Sequence, residues 1–236
     1  MRGPRADLRG AVYRGDGPAV VALLVDSGHW PVHGLQLAGD GLLTALAASV
    51  DGAALLARRC VEELRGRGWE GDDELATALS ARLGDAPLPL LRSLPVDLDE
   101  LASALEGDPA SGGGRIDLRT GEVRPELALD DLEEADDDED GDGEDERWLW
   151  IESRGSRPGY RDMEAFIADL DEPDQADRLA IAITGRGAFR RFKDVIARWP
   201  DLAERWIAFA EDRARGRARA WLADAGYTPA PSTPHS

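Results

Sequence analysis

Between about Ala6 and Gly84 the apolar residues recur at intervals of three and four, the spacing of one face of a helix. Five runs carry it: ADLRGAVYRG, GPAVVALLVDSG, GDGLLTALAASVDG, AALLARRCVEELRGRG and GDDELATALSARLG, punctuated by glycine. No two-residue alternation interrupts them, so residues 1–85 are predicted to form a helical bundle or short helical array. AVYRGDGPAVVALLVDSGHW resembles one ankyrin-type helix pair with a looser copy after it, but stacked repeats need about three copies to bury their faces. The three prolines of APLPLLRSLP cannot continue a helix, which marks a linker over 86–95. A helix then opens at Asp97, with Glu100 three residues on as a capping box requires and Gly107 after its last apolar position.

Farther on the period changes. In GRIDLRTGEVRP, Ile116, Leu118 and Val123 flank Thr120 and Gly121, the mark of a tight hairpin. RWLWIES alternates Trp148 and Trp150 with Leu149 and Ile151, which predicts a strand buried on both faces. Helical spacing returns in GYRDMEAFIADL, in ADRLAIAI, in ITGRGAFRRFKDVIARWP (Ile183–Pro200), and in a long last helix from about Asp201 to Ala225 that Gly226 stops. The fold class expected is α+β: an N-terminal all-helical region, then a mainly helical domain over 96–229 with a small antiparallel sheet made of the hairpin and one further strand. The proline-rich tail, 230–236, is predicted to be disordered.

VDLDELASALEG, IDLRTGEV, YRDMEAFIADL, GRGAFRRFKDVIARWPDLAERWIAF and WLADAGYTP, in that order, resemble the bacterial uncharacterised protein family 0158 over roughly residues 96–229. The resemblance implies a shared fold and a bacterial, cytoplasmic protein, and it implies no activity. The chain departs from the family pattern at Arg186, where a lysine is common, and in the length of its acidic insertion.

Charge alters the picture more than composition does. The net charge is −19, but 13 of the 17 residues from Asp130 to Glu146 are acidic; removing those charges leaves −6 for the remainder. Arg178–Trp221 holds 11 basic and 5 acidic residues. Such segregation predicts a solvated, disordered acidic loop over 130–146 and a basic C-terminal helical surface suited to nucleic acid or an acidic protein surface. No apolar run reaches the ~20 residues that span a bilayer, and the N-terminus lacks the apolar stretch of a secretory signal, so a cytoplasmic protein without membrane partners is expected. The lone cysteine, Cys60, sits in a helical run and is predicted to be a small core residue.

The usual catalytic and cofactor signatures are missing. GRGAFR has Arg190 in the place of the third glycine of a dinucleotide fingerprint and follows a helix, and no phosphate loop occurs. His29 and His33 are four apart, but Pro31 between them breaks a helical ligand pair. Asp136, Asp138, Asp140 and Gly141 match half of a calcium loop, whereas Gly143 and Arg147 fail the other half. No catalytic residue, metal site or cofactor is therefore assigned. On a helical wheel Phe189, Phe192, Ile196 and Trp199 form a core-facing stripe, while Arg191 and Arg198 point to water. Arg186, Arg190 and Lys193 line one edge near a helix start, where Gly185 and Gly187 permit close approach and free N–H groups favour an anion. Arg186, Gly187, Arg190 and Lys193 are thus the candidate anion- or partner-binding residues. Two functions fit them: a non-enzymatic interaction or regulatory module, or a binder of, or enzyme acting on, a small phosphorylated metabolite.

Overall fold

The computed structural model describes residues 4–26, 30–31, 33–107, 113–125 and 147–230. The acidic run, its half-calcium-loop spacing, His29 and the tail beyond Ala230 lie outside those residues. Among the described residues the fold is α+β and mainly helical, with ten helices and two small sheets. The chain divides into two compact units, each built from more than one segment.

The first unit comprises Met1–Ala102, Leu118–Glu122 and Ala214–Ser236. Helices α1 (Pro4–Tyr13), α2 (Gly17–Asp26), α3 (Leu35–Ala47), α4 (Ala53–Arg67) and α5 (Asp72–Leu83) lie where the periodicity predicts them. At 10 to 15 residues each is marginal alone, so packing must stabilise it. Val20, Leu42, Leu64, Leu75 and Leu79 supply that packing in one fully buried cluster. Cys60 sits in the same cluster, its Sγ 3.9 Å from the Leu35 carbonyl, as a core residue.

Two features of this unit have no signature in the hydrophobic pattern. Strand β1 (Arg92–Leu94) lies inside 86–95 and pairs in parallel with β5 (Tyr227–Pro229), Arg92 opposite Tyr227 and Leu94 opposite Pro229. The far end of α10 (Pro200–Asp224) also packs in this unit, where Gly216 passes the α4–α5 turn so closely that a Cβ on it would overlap the Glu70 carbonyl. Helix α6 (Leu98–Leu105) starts as expected: Asp97 Oδ1 accepts the Asp99 N–H at 2.7 Å and the Glu100 N–H at 3.3 Å.

The second unit comprises Ser103–Asp117 and Val123–Arg213. Strands β2 (Gly114–Asp117), β3 (Val123–Pro125) and β4 (Trp148–Ile151) form an antiparallel sheet in the order β3-β2-β4, the hairpin plus one strand that the sequence predicts. The register sets Ile116 opposite Val123 and Leu149, and the hairpin closes through Leu118–Glu122, longer than a two-residue turn. Strand β4 is not buried on both faces. Ile116, Val123 and Ile151 are buried on one side, but Trp150 on the other is 65% exposed because its cross-strand neighbour is Arg115 and not an apolar layer.

Helices α7 (Arg157–Ala168), α8 (Pro173–Ala182) and α9 (Ala188–Ile196) join the first half of α10 around an aromatic cluster. Trp206 meets Phe166 and Phe192 edge-on, with ring centroids 5.2 and 4.8 Å apart. Phe192 and Ile196 are buried as the wheel predicts, whereas Phe189 is 42% exposed and rests beside Gly159.

Candidate functional site

The predicted site is the corner between α8 and α9. Helix α8 ends at Ala182, the chain turns through Gly185 and Gly187, both at φ 77°, and α9 begins at Ala188. A left-handed residue costs an ordinary side chain about 1–2 kcal/mol, so glycine fits both positions. What holds the turn is Arg191. Its guanidinium donates to the carbonyls of Ala182 (2.9 Å), Thr184 (2.6 Å), Gly185 (3.4 Å) and Arg186, collecting acceptors that the end of α8 leaves over. The expectation that Arg191 points into water is therefore wrong. A wheel places it on the outer face of α9, but it cannot show that the preceding turn folds back over that face.

Arg186, Arg190 and Lys193 are exposed as expected. Arg190 has, among the described residues, only a loose partner, Asp194 at 4.0 Å, and both side chains are more than two-thirds exposed. Among the described residues Arg186, Lys193 and Arg198 meet no carboxylate within ion-pair distance. No side chain caps α9 at Gly187, so its first N–H groups remain open. The corner thus joins free positive charge to an uncapped helix start.

The arginines of α10 are employed differently, and here the expected basic helical surface shrinks. In the second unit Arg213 pairs with Asp162 at 2.5 Å. In the first unit Arg215 Nε meets Asp40 at 3.0 Å and Arg215 NH1 meets Asp99 at 2.6 Å, while Arg219 donates to Asp40 at 2.6 Å and to Gln36 at 2.8 Å. Gln36 in turn donates to Asp72 at 2.8 Å, and Asp72 accepts from Arg67 at 2.7 Å and from the Trp69 N–H at 2.8 Å. Gln36 and Asp72 are fully buried and Arg219 nearly so. Burial opposes the charge on Arg215, yet Asp40 and Asp99 outweigh it and raise the guanidinium's affinity for its proton. Burial likewise works against ionised Asp99, and Arg215 and Arg9 overcome it, holding the carboxyl below its usual value.

That network reads as structural. The cleft beside it, lined by Asp40, Asp97, Arg215 and Pro229, has a volume of about 60 Å³, far below the ~300 Å³ of a small metabolite pocket. Among the described residues no three histidine, cysteine or carboxylate side chains gather as metal ligands, and no helix is long and apolar enough to cross a membrane.

A second charged surface lies outside the helical periodicity. One face of the three-stranded sheet carries Arg124, Arg115 and Trp150 in a row across the strands, with Asp117 and Trp148 beside them. The Arg115 guanidinium lies 3.9 Å from the Trp148 ring centre, and those of Arg147 and Arg124 lie 4.7 and 5.3 Å from it. Arg147 also holds buried Asp117 at 2.7 Å. A two-residue alternation of arginine and apolar residues in GRID and EVRP, matched to the tryptophans of RWLW, is the signal that could have marked this face.

A family model described as an uncharacterised protein family, UPF0158, matches residues 116–232. A UPF0158 protein of Pseudomonas aeruginosa is 31% identical over 146 residues, which cover 59% of this chain and 89% of that protein. No solved structure matches the chain. The span matched by the family model holds α7 to α10 and all four candidate residues, and it leaves out Gln36, Asp40 and Asp72.

Proposed function

The chain belongs to the uncharacterised protein family UPF0158, and from that premise we propose that it is a non-catalytic interaction module whose α9 corner recognises an anionic polymer. Nucleic acid or an acidic protein surface has the required chemistry. One observation carries the proposal. Arg67, Arg147, Arg213, Arg215 and Arg219 are held by carboxylates at 2.5 to 3.0 Å, whereas Arg186, Lys193 and Arg198 have no such partner among the described residues and Arg190 has a loose one. Charge left unpaired on a short helix is available to an outside anion.

Anisotropy of a labelled oligonucleotide and of a labelled polyglutamate peptide, titrated with the full chain at low and physiological salt, tests this. Binding of either probe should fall steeply with salt and weaken further in Arg186→Gln/Arg190→Gln/Lys193→Gln. Absence of binding to both probes at low salt sinks the proposal. The uncapped start of α9 supports a second reading, a small phosphorylated ligand seated on the N–H groups after Gly187. A thermal-shift screen of nucleotides and sugar phosphates separates the two: stabilisation that Arg186→Ala removes favours the small ligand, and a flat screen rejects it.

A further inference from the structure

We infer that the outer face of α4 is the contact surface for a second copy of this chain, the two α4 helices lying antiparallel about a two-fold axis. The surface belongs to the first unit and lies outside residues 116–232, so the inference is independent of the α9 corner.

Helix α4 has two unlike sides. Ala57, Cys60, Val61 and Leu64 are buried in the core of the unit. On the other side Leu55, Arg58, Arg59, Glu62, Glu63 and Gly66 are all exposed, from one end of the helix to the other. Leu55, Arg59, Glu62 and Gly66 recur at intervals of four and three, so they form a single stripe. Leu55 at its start is 75% exposed. Gly66 at its end is open, because a Cβ there would have no neighbour within 4 Å.

The charges between them are only loosely engaged within the chain. Arg58 lies 3.4 Å from Asp85 and Arg59 lies 4.0 Å from Glu63, with every side chain in those pairs half exposed or more. The Arg59 guanidinium also rests 4.7 Å from the centre of the Trp30 ring, which steadies it without neutralising it. Glu62 meets no cation within ion-pair distance among the described residues.

The order of these residues selects both the occupant and its direction. Antiparallel pairing about an axis between Cys60 and Val61 sets Leu55 opposite Gly66, Arg58 opposite Glu63 and Arg59 opposite Glu62, and the symmetry repeats each pair. Leu55 then seats where the missing side chain of the partner helix leaves room, and every arginine faces a glutamate. Parallel pairing would set arginine on arginine and glutamate on glutamate. A wholly acidic or wholly basic partner would satisfy half of the face and repel the other half. With one exposed leucine per copy the apolar contact is small, so the dimer is a weak one, with a dissociation constant of ~10–100 µM.

Sedimentation velocity of the full chain over ~5–500 µM at low salt tests this, and the wild type should pass from monomer to dimer within that range. Added salt should weaken the dimer severalfold. Arg58→Glu/Arg59→Glu and Glu62→Arg/Glu63→Arg should each stay monomeric, because each places like charges across the axis. Mixed in equal amounts the two variants should form a heterodimer, which loss of folding in either could not produce. Leu55→Ala should weaken the dimer at least ~tenfold and leave the helix content seen by circular dichroism unchanged. A wild type that stays monomeric throughout the range overturns the inference, as does a dimer that survives either charge reversal or a mixture of the two variants that remains monomeric.

Discussion

Replacing Asp40 by alanine should destabilise the first unit far more than cutting an ion pair at its edge. Asp40 accepts from Arg215 Nε at 3.0 Å through one oxygen and from Arg219 NH2 at 2.6 Å through the other. The side chains of Asp40, Arg215 and Arg219 are only 16%, 15% and 3% exposed. Removing the carboxylate leaves Arg215 with Asp99 and leaves Arg219 facing neutral Gln36, so a buried guanidinium loses its counter-charge without gaining water. Breaking a buried pair from one side costs about 3–5 kcal/mol, and the surviving partners place this case near ~3 kcal/mol. Arg9→Ala breaks a pair with Asp99 in which both side chains are 41–47% exposed, and should cost only ~0.5 kcal/mol. Urea unfolding followed by circular dichroism measures both, and amide exchange over α3 assigns the loss to this unit. Combining Asp40→Ala with Arg219→Met should be less damaging than the sum of the two by ~2 kcal/mol, because the methionine no longer needs a counter-charge. Losses for Asp40→Ala and Arg9→Ala that agree within ~1 kcal/mol would refute the reasoning.

Three further outcomes are expected. Glu100 is pushed above its usual value by burial and then by Asp97 and Glu122, so its ionisation opposes folding once the pH rises past that raised value. Glu100→Gln should accordingly gain a few tenths of a kcal/mol at pH 7, as an exposed group allows, and the gain should vanish below about pH 4 in a series of urea midpoints. Arg191→Ala removes four donations to the α8–α9 turn, so amide exchange at Thr184–Gly187 should accelerate at least tenfold while the core of α10 keeps its protection. Gly216→Ala should lower stability by ~2–3 kcal/mol in urea melts, since a methyl there meets the Glu70 carbonyl and not a movable side chain.

The helices are legible because their information is local. The runs before Gly84 and the pair Asp97 and Gly107 carry both period and punctuation, and the structure follows them. The antiparallel sheet is legible for the same reason, through the alternation around Thr120–Gly121 and Trp148–Ile151. What periodicity cannot reach is pairing between distant segments. Arg215 and Arg219 sit one turn apart on α10, and their partners Asp40 and Gln36 sit one turn apart on α3, some 175 to 183 residues earlier. Seen alone, either set looks like the solvated face of a helix. Arg191 misleads for a related reason, because its acceptors are backbone carbonyls that carry no mark in the sequence. The pairing of β1 with β5 is hidden by shortness, as three residues beside prolines display no alternation at all.

That last pairing has a consequence for synthesis. The first unit draws on Met1–Ala102 and on Ala214–Ser236, so a nascent chain that has emerged only through α9 holds Gln36 and Asp40 with neither Arg215 nor Arg219 to meet them, and β1 without its neighbour. Helices α1 to α5 are thus made before α10 yet completed only with it. Any premature stop between α6 and α10 yields a fragment with an unneutralised carboxylate in its interior and an open strand edge, which is the sort of product that quality-control proteases remove.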